Sequence, residues 1–114
     1  MTATLKPTVV ELSKLVQFAE RGIVSKTVFE SPSLKLVHFS FEPGQALSEH
    51  SAPFDAVIHV LEGSATVKLG GVDHDARPGA LYVMPAGLPH ALTAKEKFVF
   101  LLTMVKGPAP VGLK

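Results

Sequence analysis

The chain contains no cysteine, which excludes disulfides, thiolate metal sites and cysteine nucleophiles by inventory. It also lacks an excess of charge: 11 Lys and Arg against 10 Asp and Glu leave a formal net charge of +1, with the basic residues scattered along the sequence. That balance excludes the electrostatic footprint by which nucleic acid or an anionic membrane surface is held. No apolar run approaches the ~18 residues that cross a bilayer, and the stretch from Met1 to Thr8 has no apolar core of signal-peptide length. The protein is therefore expected in the cytoplasm, with neither nucleic acid nor membrane as a partner. Phenols are scarce too: Tyr82 is the only tyrosine.

What is present is apolar. Of the 114 residues, 46% are hydrophobic, enough for one domain with a core of ordinary size. For a chain this short that fraction is high. It predicts that some apolar surface is covered by a second copy in a homodimer.

The first element reads as helical and the rest as strands. Thr8 followed by Glu11 has the form of a capping box, and Leu12, Leu15 and Val16 then share one helical face. A short amphipathic helix over about 9–17 is predicted, in an N-terminal arm of about 8–20. Two turns are marginal unless docked, so the arm is expected to pack on the remainder as a lid or dimer arm.

From Ile23 onward, short apolar runs alternate with turn residues. Strands are predicted over 23–29, 34–41, 56–61, 65–69, 80–84, 89–93 and 98–105, with Ser31-Pro32-Ser33, Pro43-Gly44 and Gly70-Gly71 between some of them. Such spacing indicates an antiparallel sandwich or barrel, and Gly70-Gly71 is a two-residue hairpin signal. The tail, 106–114, carries Pro108 and Pro110 among glycines and is expected to be loose.

Two motifs sharpen the fold. The stretch from Gly79 to His90 is punctuated by Gly79, Pro85, Gly87 and His90, and the stretch from Gly44 to Gly63 carries His50 between its glycines. Together they resemble the paired motifs of small single-domain cupins. The resemblance implies one domain over 1–114, all-β, with a double-stranded antiparallel β-helix or jelly-roll barrel over about 23–105. In that family the first motif normally carries two histidines and a third ligand. Here the corresponding slots hold His50, Ala52 and Ala56, and the second motif supplies His90.

The implied ligand pocket is His50, Ala52, Ala56, Ile58 and His90, because strand parity sends Ile58 and Val60 the same way as Ala56. Asp55, Val57, His59 and Leu61 then face the other way, toward the expected dimer partner. Any metal would rest on His50 and His90. Two imidazoles fall short of the three protein ligands a catalytic ion normally has, so no cofactor is expected beyond a weakly bound Fe, Mn, Ni or Zn.

The other candidates have ordinary readings. His38 shares parity with Leu36 and Ser40 and is expected as a hydrogen-bonded wall residue. His74, between Asp73 and Asp75, is expected in an exposed turn. Glu49 belongs in solvent or behind His50, Phe54 caps the pocket or plugs the barrel end, and Tyr82 and Met84 lead into the second motif. Three functions follow: a small-molecule-binding module without a strongly held metal; a cupin-type dioxygenase or isomerase that recruits Gln45 or Glu49 to the ion; and a metal-free isomerase pairing a histidine with Tyr82 or the second histidine.

Overall fold

A computed structural model of the chain describes residues 7–106. Its strands are β1 Ile23–Glu30, β2 Leu34–Phe41, β3 Ala46–His50, β4 Asp55–Glu62, β5 Ala65–Leu69, β6 Val72–Ala76, β7 Leu81–Met84, β8 His90–Ala94 and β9 Phe98–Val105. They form two antiparallel sheets, a five-stranded one ordered β1-β2-β9-β4-β7 and a four-stranded one ordered β3-β8-β5-β6. This is the jelly-roll barrel that the motifs imply. No helix among the described residues is long and apolar enough to cross a membrane.

The longer strands form where β-branched and aromatic residues alternate, because a pleated strand sends every second side chain to one face. On β4 the buried set is Ala56, Ile58 and Val60, and on β9 it includes Phe98 and Phe100. Phe100 packs at ring-centroid distances of 4.9 Å from Phe39, 5.5 Å from Phe41 and 5.4 Å from Phe98. Each fully buried ring, Phe41, Phe98 and Phe100, contributes about 1.5–3 kcal/mol, so this cluster is a strong apolar anchor between β2 and β9.

Two turns depend on glycine. Gly70 and Gly71 both take positive φ, 56° and 86°, as a two-residue hairpin matched to strand twist requires. At Gly63, with φ 80°, an added Cβ would lie 1.7 Å from the Lys97 carbonyl oxygen. The chain can pass there only without a side chain.

The structure departs from the sequence reading in several places. The N-terminal arm carries only a 3-10 turn, Leu12–Leu15, in place of the expected helix. Its N-cap position falls on Glu11 and receives no side-chain hydrogen bond, so the Thr8–Glu11 pattern caps nothing. β-branched Val9 and Val10 precede it, and two turns cannot offset their own nucleation. Strands β3 and β6 escaped the pattern because they are short and largely exposed. His74 consequently sits on β6 and not in a turn, although it is exposed as expected. A register shift between Val60 and Glu62 puts Glu62, rather than Leu61, opposite Val99. Lys106 is not loose: its amide donates to Ser33 O at 2.8 Å and its Nζ to Glu30 Oε2 at 2.7 Å. The rest of the expected tail, 107–114, lies outside the described residues.

Candidate functional site

β3 and β8 pair antiparallel with His50 directly opposite His90. Directly opposed residues project from the same face, so both rings enter the barrel mouth together. Each is then fixed by its own strand. His50 Nδ1 lies 2.8 Å from Ser48 O, and His90 Nδ1 lies 2.9 Å from Leu88 O. A carbonyl only accepts, so each Nδ1 carries the hydrogen and each Nε2 of a neutral ring is left with its lone pair. The two Nε2 atoms are 3.1 Å apart, with ring centroids at 4.3 Å and planes at 68°. Lone pairs converging at that distance call for a shared proton between them, or for a ligand N–H or O–H or a cation facing both from the cavity.

The rings look into an apolar space in two lobes. The larger, about 190 Å³, is lined by Ala52, Phe54, Ala56 and Met104 together with the two histidines, Met84 and Leu102. The smaller, about 50 Å³, lies against Leu47, Ile58, Leu92 and Phe100 and shares His50, His90, Met84 and Leu102. Of the five residues of the expected pocket, Ala52 and Ala56 line the larger lobe, Ile58 the smaller, and His50 and His90 both. The turn after β7 is pinned to the loop before β4, since Gly87 N donates to Ala52 O at 2.8 Å and Ala86 N to Asp55 Oδ1 at 2.9 Å. Asp55 therefore holds the mouth in shape rather than lining it.

The donor set can be tested against a metal ion. The Nε2 separation suits two neighbouring ligands of one ion at ~2.0–2.1 Å each. The count does not suit it. Among the described residues no third His, Cys, Asp or Glu joins the pair, and the slots at Ala52 and Ala56 offer methyl groups. Glu49 instead lines the outer face of the four-stranded sheet beside Thr66 and Lys68, and Gln45 lines neither lobe. Neither is the recruited ligand. The residues present do not form a strong site for a divalent ion.

The remaining polar candidates lie elsewhere. Tyr82 donates its hydroxyl to Asp75 O at 3.0 Å and does not face the histidine pair, which removes it as the acid of a histidine–phenol isomerase. His59 is on the outer face of the five-stranded sheet, opposite Leu101. His38, expected to be hydrogen-bonded, is 1% exposed and has no partner among the described residues for either ring nitrogen. Burial, and secondarily the Lys26 charge, lower its pKa, against a smaller opposing pull from Glu62. The sequence reading missed Leu47, Leu102 and Met104 as walls. Leu102 and Met104 face Ile58 and Ala56 across the β4–β9 ladder, and only that long-range pairing brings them to the cavity.

With barrel and mouth in view, the chain's relatives can be placed. The Cupin domain family model matches residues 37–105, more than half of the chain, and the protein belongs to that family. A conserved protein of unknown function from Streptococcus pyogenes is 34% identical over 93% of both chains, with a TM-score of 0.81. A cupin superfamily protein from Desulfitobacterium hafniense is 26% identical over 92% of this chain and 100% of its own, with a TM-score of 0.82. KdgF from a Halomonas species is 26% identical over 81% of this chain and 87% of its own, with a TM-score of 0.73. No curated protein matches by sequence.

Proposed function

We propose that the protein binds a small, mainly apolar molecule in the barrel, with His50 and His90 meeting its one polar group and no metal held strongly beside them. The observation that carries this reading is the pair of converging Nε2 atoms in a cavity whose two other ligand slots are alanine. Ligand sites commonly combine apolar walls with a few convergent polar groups. The larger lobe, at about 190 Å³, is below the ~300–1,000 Å³ of sites for drug-sized molecules, so the ligand is small.

A thermal-shift screen of short-chain alcohols, amines and carboxylic acids tests the reading. Compounds that raise the Tm of the unmodified protein should lose that effect in His50→Ala and in His90→Ala. The Nε2 spacing supports a second reading, a metal-dependent cupin enzyme in which the substrate itself completes the shell. Elemental analysis of protein purified without a metal-affinity column separates the two. Stoichiometric, tightly bound metal would put the enzyme first.

The outer face of the five-stranded sheet supports self-association into a homodimer. Leu81 and Val83 on β7 are 61% and 60% exposed, and Val57 on β4 lies beside them. Light scattering at micromolar concentration should give twice the monomer mass; a monomer there would exclude this arrangement.

A further inference from the structure

The most deeply buried histidine of the chain lines neither lobe of the ligand cavity. A row of residues crosses the outer face of the five-stranded sheet, each opposite the next: Lys26, His38, Leu101, His59 and Leu81. His38, second in that row, is 1% exposed with both ring nitrogens unpartnered among the described residues. Its neighbours on the same face of β2 are Leu36 and Ser40. Both lie beside the N-terminal arm. Ser40 Oγ accepts from Gln17 N at 3.2 Å, and Leu36 and Leu101 share a groove of about 430 Å³ with Val10 and Leu12 of the arm. The arm therefore spans the position of His38.

We propose that residues 7–16 form a pH-sensitive strap, closed over neutral His38 and released when that ring takes up a proton. Burying an imidazole without partners is unfavourable, and burying an imidazolium with two unmet N–H donors is far more so. Its surroundings do little for a cation. Lys26 faces it from β1, Leu101 from β9, and His59 stands beyond Leu101 on β4. Glu62, at the end of β4, pulls the other way but more weakly than burial and Lys26 together. On the arm, Glu11 pairs with Lys14 at 3.2 Å.

A protonated His38 can reach water by opening the sheet or by lifting the arm. β2 is bonded along its length to β1 on one side and β9 on the other. The arm has no strand, no fully buried residue, and a groove rather than close packing beneath it. It is the element of lowest local stability and opens first. Phe18, whose ring lies 4.8 Å from Lys97 Nζ, anchors the far end, so the moving part is 7–16. The closed state binds fewer protons than the open one below the ordinary histidine range. Opening thus becomes more favourable as pH falls through ~6.5, by up to tenfold per pH unit, until the closed-state value is passed.

Hydrogen–deuterium exchange of the full chain from about pH 7.5 to about pH 5, corrected for intrinsic rates, reads this directly. Protection of the 3-10 turn, where Lys14 N donates to Glu11 O at 3.1 Å, should fall by up to tenfold per unit while β2 stays protected. His38→Phe, or His38→Met should the first not fold, should make arm protection flat with pH. Ser40→Ala should raise arm exchange by one factor at every pH and keep the slope. In the unmodified protein, the NMR titration of the His38 ring should share its midpoint with the shifts of the arm amides. A flat arm profile in the unmodified protein, a slope that survives removal of His38, separate midpoints, or β2 exchanging in step with the arm would each overturn the strap.

Discussion

The two ends of the barrel are built from the same strands and do opposite things. Along β9 the inward residues run Phe98, Phe100, Leu102, Met104, while the β4 residues facing the last three run Val60, Ile58, Ala56. Toward one end, Phe98 and Phe100 pack among Phe39 and Phe41, with Phe100 also closing off the smaller lobe. At the other, side chains shrink along β4 to Ala56, Ala52 of the preceding loop joins it beside the histidine pair, and a cavity opens. Close packing and open space thereby fall at different lengths of one ladder. Changes at the closed end should unfold the protein, and changes at the open end should alter what it holds.

The most severe test of that division is Gly63→Ala at the closed end. Its Cβ would meet backbone, the Lys97 carbonyl at 1.7 Å, in a left-handed conformation as well. Soluble, cooperatively unfolding protein should be lost, as circular dichroism and thermal melts would report. Phe100→Ala comes next. It empties the centre of the aromatic cluster and should lower unfolding free energy by about 3–5 kcal/mol in urea titration.

At the open end, the double change Ala52→His and Ala56→Glu should cost less stability and change chemistry instead. With His50 and His90 it provides the three or four donors that a catalytic ion takes, so affinity for Zn or Ni should rise clearly by calorimetry. If the double variant binds no more metal than the parent, the open end is shaped for something else and the buried polar groups should show as lost stability. The smallest stability effect is expected for Ala56→Leu, which fills the larger lobe. Unfolding free energy should shift by about 1 kcal/mol or less, because the added side chain enters existing space. Thermal shifts from small molecules should vanish with it. A loss as large as that of Phe100→Ala would show that the two ends share one tightly packed core.

Much of this was legible in the sequence, and the reasons are local. Gly79, Pro85, Gly87 and His90 mark a turn whose backbone demands are visible in the residue types, and that turn is found where expected, with Gly87 at φ 84°. The parity of Ala56, Ile58 and Val60 carried directly into burial because a period of two tolerates no ambiguity over so short a span. What was hidden is long-range or marginal. Met104 and Leu102 reach the cavity only through the β4–β9 register. The Leu61 bulge shifts one residue without any glycine to announce it. The polar strands β3 and β6 are made by their neighbours rather than by their own pattern. His38 looked like any strand histidine, since nothing in the sequence says that its hydrogen-bond partners are missing.

The open edge of the five-stranded sheet has a consequence for crowding. β7, with Leu81 and Val83 outward and its ladder groups free on one side, has the apolar character from which runaway strand addition between molecules begins. It is only four residues long, and Pro78 and Pro85 stand close to its two ends. A proline offers no N–H to an incoming strand, so a foreign chain docking there would find a short ladder with no continuation in either direction. At this edge, sheet growth between molecules therefore has only a short ladder to start from and none to continue along.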